Sequence, residues 1–257
     1  MGETWFPYGL IYGPHSSRRL GLSLGVDLTP MSCTFNCVFC ERGATLFGCI
    51  SPSDFTSKVD LEVFLDVLQQ SVNGLRFDCL TFSGTGEPTL ESKLGKFITS
   101  SREIIGPMPI RVITNASLMT NESVVQNISE ADEVIVKLNA VSEDAFVEMH
   151  RPFDQTLKPE RIIRGIHLLK QEIGSSLVVE ILFIRSFQLP KTNSTKDEVV
   201  KLSEVLRCLE PATIQVHTIS RVPAEPYVLP VDNRFLDKAS ASIKNTLPQT
   251  HVSTYMY

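Results

Sequence analysis

The sequence predicts an α/β fold with a mostly parallel β-sheet, and three observations lead to this prediction. Short runs rich in Val, Ile and Leu alternate about six times with segments whose apolar residues recur every three or four positions. The runs are apolar throughout, which suits strands buried on both faces of a parallel sheet. At 257 residues the chain is long enough for one such domain. Because six strand–helix units are too few for a closed eight-stranded barrel, the pattern leaves two architectures open, a partial barrel and a doubly wound sheet.

The predicted strands and helices follow one another in a regular order. We expect strands at residues 22–28, 79–82, 110–114, 134–138, 178–184 and 214–219. Helical spacing is clearest after the first and the fifth strand, in Leu61, Phe64, Leu65, Leu68 and Val72 and in Val199, Leu202, Val205, Leu206 and Leu209. Residues 186–196 are polar and are expected to form a loop over the strand ends. A last helix is expected at residues 233–246 and a final strand at residues 252–255.

The composition argues against several classes of protein. The chain has 24 Lys and Arg against 29 Asp and Glu, a formal net charge of -5, which disfavours a protein that coats nucleic acid. No run approaches the roughly 18 consecutive apolar residues of a membrane span. The N-terminus lacks the basic and apolar regions of a secretory signal. We therefore expect a cytoplasmic protein without a membrane partner.

Three of the six cysteines form a cluster, Cys33-Thr-Phe-Asn-Cys37-Val-Phe-Cys40, directly after the first predicted strand. In a cytosolic chain such a cluster indicates metal binding or catalysis rather than a disulfide framework. A structural zinc site normally has four protein ligands, whereas three cysteines on a four-iron cluster leave one iron open to a small molecule. A zinc site completed by Cys49 or His15 is an alternative that the spacing leaves open.

The spacing C-x3-C-x2-C, with Phe39 directly before the last cysteine, resembles the cluster loop of the radical SAM superfamily. The position of the loop after the first strand and a glycine-rich turn after the second fit that superfamily as well. Two short motifs, Tyr12-Gly-Pro14 with Ser17-Arg-Arg-Leu-Gly21 and Arg221-Val-Pro-Ala-Glu-Pro226, are similar to a branch of iron–sulfur oxidoreductases related to the tRNA wyosine-base synthases. The superfamily resemblance covers roughly residues 12–226.

The resemblance implies both a fold and a chemistry. The fold would be a partial (βα)6 TIM-like barrel of the radical SAM type, with a [4Fe-4S] cluster at the carboxyl-terminal mouth of its strands. Cys33, Cys37 and Cys40 would hold the cluster, and S-adenosyl-L-methionine would bind the open iron through its amino and carboxylate groups. Reductive cleavage would yield methionine and a 5′-deoxyadenosyl radical that abstracts hydrogen from a substrate. The protein's share of such chemistry is binding, orientation and exclusion of side reactions.

The second predicted strand runs into a glycine-rich turn, Ser83-Gly-Thr-Gly-Glu-Pro88, whose glycines permit a sharp bend and a close approach to a ligand. This turn resembles the superfamily's motif for the methionine amino group, and the carboxylate of Glu87 can accept hydrogen bonds from an ammonium. Polar residues at the ends of later strands line the mouth of a barrel, and Lys137 and Asn139 alternate onto one face. The residues expected to contact the cofactor are Phe39, Gly84, Thr85, Gly86, Glu87, Asn115, Lys137, Asn139 and His217.

Other polar residues are candidates for substrate binding. Arg18 and Arg19 precede the first strand, where one of them can bind an anionic group near the site. Glu180 lies on the fifth strand, where its carboxylate can either face the interior of the barrel or pair with a structural partner. Residues 150–152, His-Arg-Pro, follow a short helix and are expected to form a loop that faces the substrate.

We expect a single radical SAM domain over residues 1–257, with a core of about 12–226 and a C-terminal extension of about 227–257. Its partners would be an unidentified small-molecule or peptide substrate and a low-potential electron donor. Cys79 and Cys208 lie in apolar surroundings and are expected to be ordinary core residues.

Three alternatives to this function are compatible with parts of the sequence. A tRNA base is suggested by the related wyosine-base synthases, but the chain is acidic and has no Lys/Arg-rich tract. The remaining cysteines also have no close pairing that would hold the second cluster of those synthases. A zinc- or cluster-stabilised binding module would use the cysteine loop only for the fold. An ordinary S-adenosylmethionine methyltransferase needs no cysteine triad, so the triad speaks against it.

Overall fold

Strands and helices alternate along residues 9–256, the part of the chain that the computed structural model describes. The strands are β1 (Ile11–Ser17), β2 (Gly21–Val26), β3 (Ser32–Cys33), β4 (Phe47–Gly48), β5 (Cys79–Phe82), β6 (Ile110–Thr114), β7 (Glu133–Lys137), β8 (Leu177–Ser186), β9 (Thr213–Thr218), β10 (Val228–Pro230) and β11 (His251–Tyr255). The helices are α1 (Leu61–Val72), α2 (Leu94–Ile105), α3 (Glu122–Ile128), α4 (Glu143–His150), α5 (Pro159–Ile173), α6 (Lys196–Leu209) and α7 (Asn233–Thr246). The predicted alternation is confirmed.

The main sheet has the order β1-β2-β5-β6-β7-β8-β9-β11, with β10 paired to β8. Each neighbouring pair from β2 to β11 is parallel, whereas β1 is antiparallel to β2 at one edge. Side chains from β1, β2 and every parallel strand through β11 line one cavity, which requires the sheet to curl around it. The architecture is therefore a half-barrel, as the radical SAM resemblance implied, and the doubly wound alternative is wrong.

The helices begin and pack as their sequences dictate. The Asp60 carboxylate accepts hydrogen bonds from two amides in the first turn of α1, and Thr195 and Asp232 cap α6 and α7 in the same way. The apolar face of α6 that the spacing predicts is buried at Leu202 and Leu206. Among the described helices, none combines the length and apolar character needed to cross a bilayer.

The strands β1, β3, β4 and β10 and one cysteine differ from the expectations, whereas the predicted final strand is present as β11. The strand β1 was not predicted, because glycine and proline interrupt Ile11–Ser17, yet it forms a hairpin with β2. The final strand β11 pairs in parallel with β9 and extends the sheet beyond six parallel strands. The prediction that Cys208 is a core residue is wrong, since it is exposed on α6, two positions after the buried Leu206. Cys79 is buried as expected.

Candidate active site

The half-barrel surrounds a cavity of about 320 Å³ on its inner face. Every residue that the sequence assigned to the cluster or the cofactor lines this cavity. These are Cys33, Phe39, Cys37, Cys40, Gly84, Thr85, Gly86, Glu87, Asn115, Lys137, Asn139 and His217. Residues up to 184 positions apart in the chain therefore share one site, because parallel strands end at the same edge of a sheet.

Backbone contacts hold the loop that carries the cysteines. Cys33 ends β3, which pairs with β4. Farther along, the Asn36 amide donates to the carbonyl of His150 at 3.1 Å, and the Val38 amide donates to the carbonyl of Met149 at 3.0 Å. Both carbonyls lie at the end of α4, where they have no partner within the helix. The loop and the helix end thus satisfy each other's hydrogen bonds.

The residues between the cysteines are anchors in the core. Phe35, Val38 and Phe39 are buried, and the rings of Phe35 and Phe39 contact the ring of His150 with centroids 5.5 and 5.3 Å apart. Phe35 and Phe39 also line the cavity beside the three cysteines, whereas Val38 does not.

Two of the three cysteines are buried in surroundings that disfavour the thiolate unless a cation is bound. Burial raises the pKa of the Cys33 thiol to about 12, and the Glu87 carboxylate nearby adds to the shift. Burial also raises the pKa of Cys37 well above its usual value, and the other two cysteines add to it. These two thiols are therefore protonated at neutral pH, and it takes metal to stabilise them as thiolates.

The donor set fits an iron–sulfur cluster in its chemistry, since thiolates are the usual ligands of such clusters. Within residues 9–256, no group of three or more His, Cys, Asp and Glu residues has the arrangement of ligands around a single metal ion. Cysteines on a four-iron cluster bind different irons and lie farther apart than ligands that share one ion. Cys49 is buried and does not line the cavity.

The glycine-rich turn is packed against the segment that leads from β2 to the cysteines. A Cβ on Gly86 would lie 1.8 Å from the carbonyl oxygen of Thr29, and one on Gly84, whose φ is +140°, would lie 2.3 Å from Cγ of Asp27. The amide and hydroxyl of Thr85 both donate to the Asp27 carboxylate, at 2.8 and 2.6 Å. The two glycines are therefore required by close packing within the protein, and the turn is fixed relative to the cysteine loop.

Glu87 connects the turn to the next strand. Its carboxylate is 2% exposed and accepts hydrogen bonds from the hydroxyls of Thr89 and Thr114, at 2.7 and 2.6 Å, and from the amide of Asn115 at 2.8 Å. The pKa of Glu87 is raised, because the effect of burial outweighs that of these hydrogen bonds, which lower it. The side-chain amide of Asn115 in turn donates to the sulfur of Cys33 at 3.5 Å. Cluster loop, turn and strand end thus form one connected unit.

Lys137 and Asn139 both face the cavity, as predicted from their alternation. Asn139 is engaged inside the protein, since its Oδ1 accepts from the Leu182 amide at 2.9 Å and its Nδ2 lies 3.3 Å from Nε2 of His150. Burial lowers the pKa of His150 to about 4, so its ring is neutral and accepts from Asn139. Lys137 forms no ion pair with any residue between 9 and 256.

Glu180 is the most deeply buried charged group of the inner face, at 1% exposure. It contacts the guanidinium of Arg19, and one of its oxygens lies 3.1 Å from Nε2 of His217. Burial, with Arg19 and Lys137 as further causes, lowers the pKa of His217 to about 3. His217 is therefore neutral, and Arg19 is the counter-ion of Glu180.

Sequence reasoning missed Asp27, which binds the glycine-rich turn, Arg42, which lines the cavity, and the contact of His150 with the cysteine loop. An acid directly after a strand that precedes the cysteines was the available signal for Asp27. Of the loop expected to face the substrate, only His150 lines the cavity. The Arg151 guanidinium instead binds Glu225 at 2.5 Å and the Tyr227 hydroxyl at 2.6 Å.

Comparison with known sequences identifies the family. The model of the radical SAM superfamily matches residues 30–187. The UPF0026 protein MJ1312 of Methanocaldococcus jannaschii is 32% identical over 222 residues, which cover 86% of this chain and 67% of that protein. A UPF0026 protein of Synechocystis sp. is 30% identical over 228 residues, which cover 85% of this chain and 78% of that protein.

Solved structures share the fold. Crystal structures of Streptococcus suis SuiB, one bound to S-adenosylmethionine and one to its precursor peptide SuiA, superpose with a TM-score of 0.65 at 16% and 15% sequence identity. They cover 91% of this chain, which in turn spans about half of SuiB, 50% and 48% in the two structures. Since the family model matches more than half of its length, the chain belongs to the radical SAM superfamily, whose members use S-adenosylmethionine and a [4Fe-4S] cluster, and it is a radical SAM enzyme.

Proposed function

We propose that this chain reductively cleaves S-adenosylmethionine at a [4Fe-4S] cluster held by Cys33, Cys37 and Cys40, and that the resulting 5′-deoxyadenosyl radical abstracts hydrogen from a small-molecule or peptide substrate. The observation that carries this proposal is the convergence of the three cysteines and the glycine-rich turn on one cavity of a half-barrel. The superfamily to which the chain belongs supports it.

The chain's own residues would hold the cluster in one orientation. The buried aromatic residues between the cysteines fix the loop, and the Asn115 side chain donates to the Cys33 sulfur. Hydrogen bonds to ligating sulfurs stabilise the negative charge of a cluster and set its potential. Asn115 is thus a positioning residue for the cluster.

The glycine-rich turn and the strand ends would hold S-adenosylmethionine. Gly84, Thr85 and Gly86 line the cavity, and the second carboxylate oxygen of Glu87 accepts a hydrogen bond from the Asn115 amide and, among residues 9–256, from no other donor, which leaves a lone pair for an ammonium. Lys137 offers an unpaired ammonium to the methionine carboxylate. Phe39, Asn139 and His217 would complete the walls, with Asn139 hydrogen-bonded inside the protein and Nε2 of His217 lying 3.1 Å from the Glu180 carboxylate.

A small molecule or a peptide is the substrate class we favour over a tRNA base. The net charge of -5 gives no basic footprint for nucleic acid. The crystal structure of SuiB with its precursor peptide is an example of a peptide bound by a protein of this fold. The electron would come from a low-potential donor in a reducing compartment, which we take to be the cytoplasm because thiols stay reduced there.

Anaerobic reconstitution tests the proposal. The protein is supplied with iron and sulfide, examined by visible spectroscopy, and then incubated with dithionite and S-adenosylmethionine. We expect broad absorption near ~400 nm from iron–sulfur thiolates and formation of 5′-deoxyadenosine and methionine, detected by liquid chromatography and mass spectrometry. Colourless, zinc-loaded protein that forms no 5′-deoxyadenosine would support the binding-module alternative instead.

A further inference from the structure

Arg42 lies two residues after the last cysteine and lines the cavity. Its guanidinium lies over the ring of Tyr12, 5.2 Å from the ring centroid. That ring is itself fixed, because the Tyr12 hydroxyl lies 2.8 Å from the Ser83 hydroxyl and the ring occupies the space that a Cβ on Gly25 would need. A buried aromatic face thus orients the arginine before any ligand arrives.

The hydrogen-bond donors of Arg42 are not used inside the described part of the protein. Between residues 9 and 256, no carboxylate lies within ion-pairing distance of its guanidinium and no oxygen accepts a hydrogen bond from it. The guanidinium lies over the Tyr12 ring, and its five N–H donors lie in the plane of the guanidinium. A planar fork of this kind binds an oxyanion through two parallel hydrogen bonds.

The charges around the cavity leave Arg42 without a counterpart. The carboxylates that line the cavity already have partners: Glu41 lies 3.7 Å from Arg221, Glu180 contacts Arg19, and Glu87 is bonded by hydroxyl and amide groups. Arg18 also lines the cavity and donates to the carbonyl of Met256. The remaining cations of the lining, Lys137 and Arg42, have no carboxylate partner among the described residues. S-adenosylmethionine has a single carboxylate, which Lys137 suffices to match. Arg42 therefore remains for an anion other than that carboxylate.

We propose that Arg42 binds an anionic oxygen group of the substrate, a carboxylate or a phosphate. The inference rests on the proposed function and narrows its substrate to anionic molecules, although the whole chain is acidic. A local excess of positive charge at a cleft draws anions into it whatever the net charge of the protein. The position of Arg42 beside the cysteine loop would place this group at the side of the cavity where the cluster is held.

Fractionated metabolites test the substrate class. Reconstituted enzyme with dithionite and S-adenosylmethionine alone gives a basal rate of 5′-deoxyadenosine formation, and an extract of small metabolites is divided by anion exchange at neutral pH. We expect the retained, anionic fraction to raise the rate and the flow-through to leave it unchanged. Stimulation by the flow-through would overturn the proposal. Treatment of the retained fraction with alkaline phosphatase distinguishes a phosphate from a carboxylate, since the enzyme removes phosphate groups and leaves carboxylates intact.

Variants test the residue. With Arg42→Met, the amount of retained fraction needed for half-maximal stimulation should rise about tenfold or more, as expected for loss of a bidentate charge-assisted pair. Arg42→Lys keeps the charge but not the planar fork, so the amount that it needs should lie between those of the wild type and Arg42→Met. Arg76→Met, at an exposed arginine outside the cavity, is the matched control. Iron content and the visible spectrum of each variant verify that the cluster is retained.

Two outcomes separate this inference from the proposed function. If Arg42→Met weakens the binding of S-adenosylmethionine, measured by calorimetry, by the same factor as the stimulation, the arginine serves the cofactor and the inference is wrong. If the wild-type enzyme forms no 5′-deoxyadenosine either with or without the extract, the proposed function itself fails.

Discussion

The buried thiols of Cys33 and Cys37, whose pKa values are raised, need a metal to become thiolate ligands, and we expect all three cysteines to be required to hold it. Loss of one sulfur leaves two cysteine ligands in a buried site, since Cys49 lies outside the cavity lining and cannot replace the missing thiolate. We expect Cys33→Ala to lose the iron chromophore and 5′-deoxyadenosine formation together, measured by iron analysis and mass spectrometry.

Cys208→Ser is the matched control for this variant, because that cysteine is exposed on α6. Its iron content and product yield should equal those of the wild type. A Cys33→Ala protein that kept its cluster and its product would show that the cysteine is not a ligand.

Gly86 illustrates a residue whose type is dictated by a neighbour rather than by backbone angles. We expect Gly86→Ala to lower the free energy of unfolding by about 3 kcal/mol, because the new methyl group meets the Thr29 carbonyl oxygen at 1.8 Å and the backbone must shift. Urea denaturation of the metal-free protein measures the change.

Gly106→Ala serves as the comparison. Gly106 has φ +61° and ψ −127°, which L residues rarely adopt, and nothing lies within 4 Å of a new Cβ, so backbone strain of about 1–3 kcal/mol is the only cost expected there. A Gly86→Ala protein as stable as the wild type would contradict the close packing of the turn.

At the scale of elements, two neutral histidines tie α4 and β9 into the half-barrel. Burial lowers the pKa of His150 to about 4 and of His217 to about 3, both from 6.5. As pH falls below 6.5 the unfolded chain takes up protons that the folded chain does not, so the free energy of unfolding falls. When the pH is lowered from 7 to 5.5, each histidine should lower the free energy of unfolding by about 1 kcal/mol.

His217→Asn should therefore remove about half of this pH dependence in urea denaturation of the metal-free protein. His167→Asn, at an exposed position of α5, should leave it unchanged. The raised pKa values of the buried Asp27 and Glu87 act in the opposite direction, so the difference between variants is the measured quantity. An unchanged slope in His217→Asn would show that the folded protein protonates this histidine normally.

How far the sequence predicts an element depends on how local its signal is. The strand β5 and the helix α7 match the predicted bounds, since apolar runs and helical spacing are local patterns. The strand β1 was missed because its pairing with β2 stabilises a segment of low strand propensity. The contacts of His150 with the cysteine loop depend on chain crossings that no sequence pattern shows.

In the candidate site, too, residues with a local sequence signal could be predicted and contacts between distant segments could not. Cys33, Cys37 and Cys40 could be assigned because their spacing is local and specific, and the glycine-rich turn because it resembles a family motif. The hydrogen bonds of Asn139 with Leu182 and His150, and the position of Arg42 over the Tyr12 ring, depend on the curled sheet and could not be predicted from the sequence.

For the whole molecule, the C-terminal segment is part of the half-barrel and not an appendage. The helix α7 buries Leu236, Ala239 and Ile243, and β11 pairs with β9 and contributes Tyr255 to the cavity. We infer that the core and this segment are one domain.

A chain truncated after residue 230 should accordingly lose its cooperative thermal transition, because the edge of β9 and the apolar surface beneath α7 become exposed. Circular dichroism on heating measures this. A truncated protein that melts at the wild-type temperature would show that residues 231–257 are a separate unit.

The central claim is that three cysteines leave one iron open and that S-adenosylmethionine binds there. Electron–nuclear double resonance of the reduced, reconstituted protein with S-adenosylmethionine carrying ¹⁵N in its amino group tests this most directly. The account predicts a ¹⁵N coupling that shows direct coordination to the cluster, present in the wild type and in Cys208→Ser. A cluster signal that is unchanged by the labelled cofactor, or zinc in place of iron at the cysteines, would contradict it.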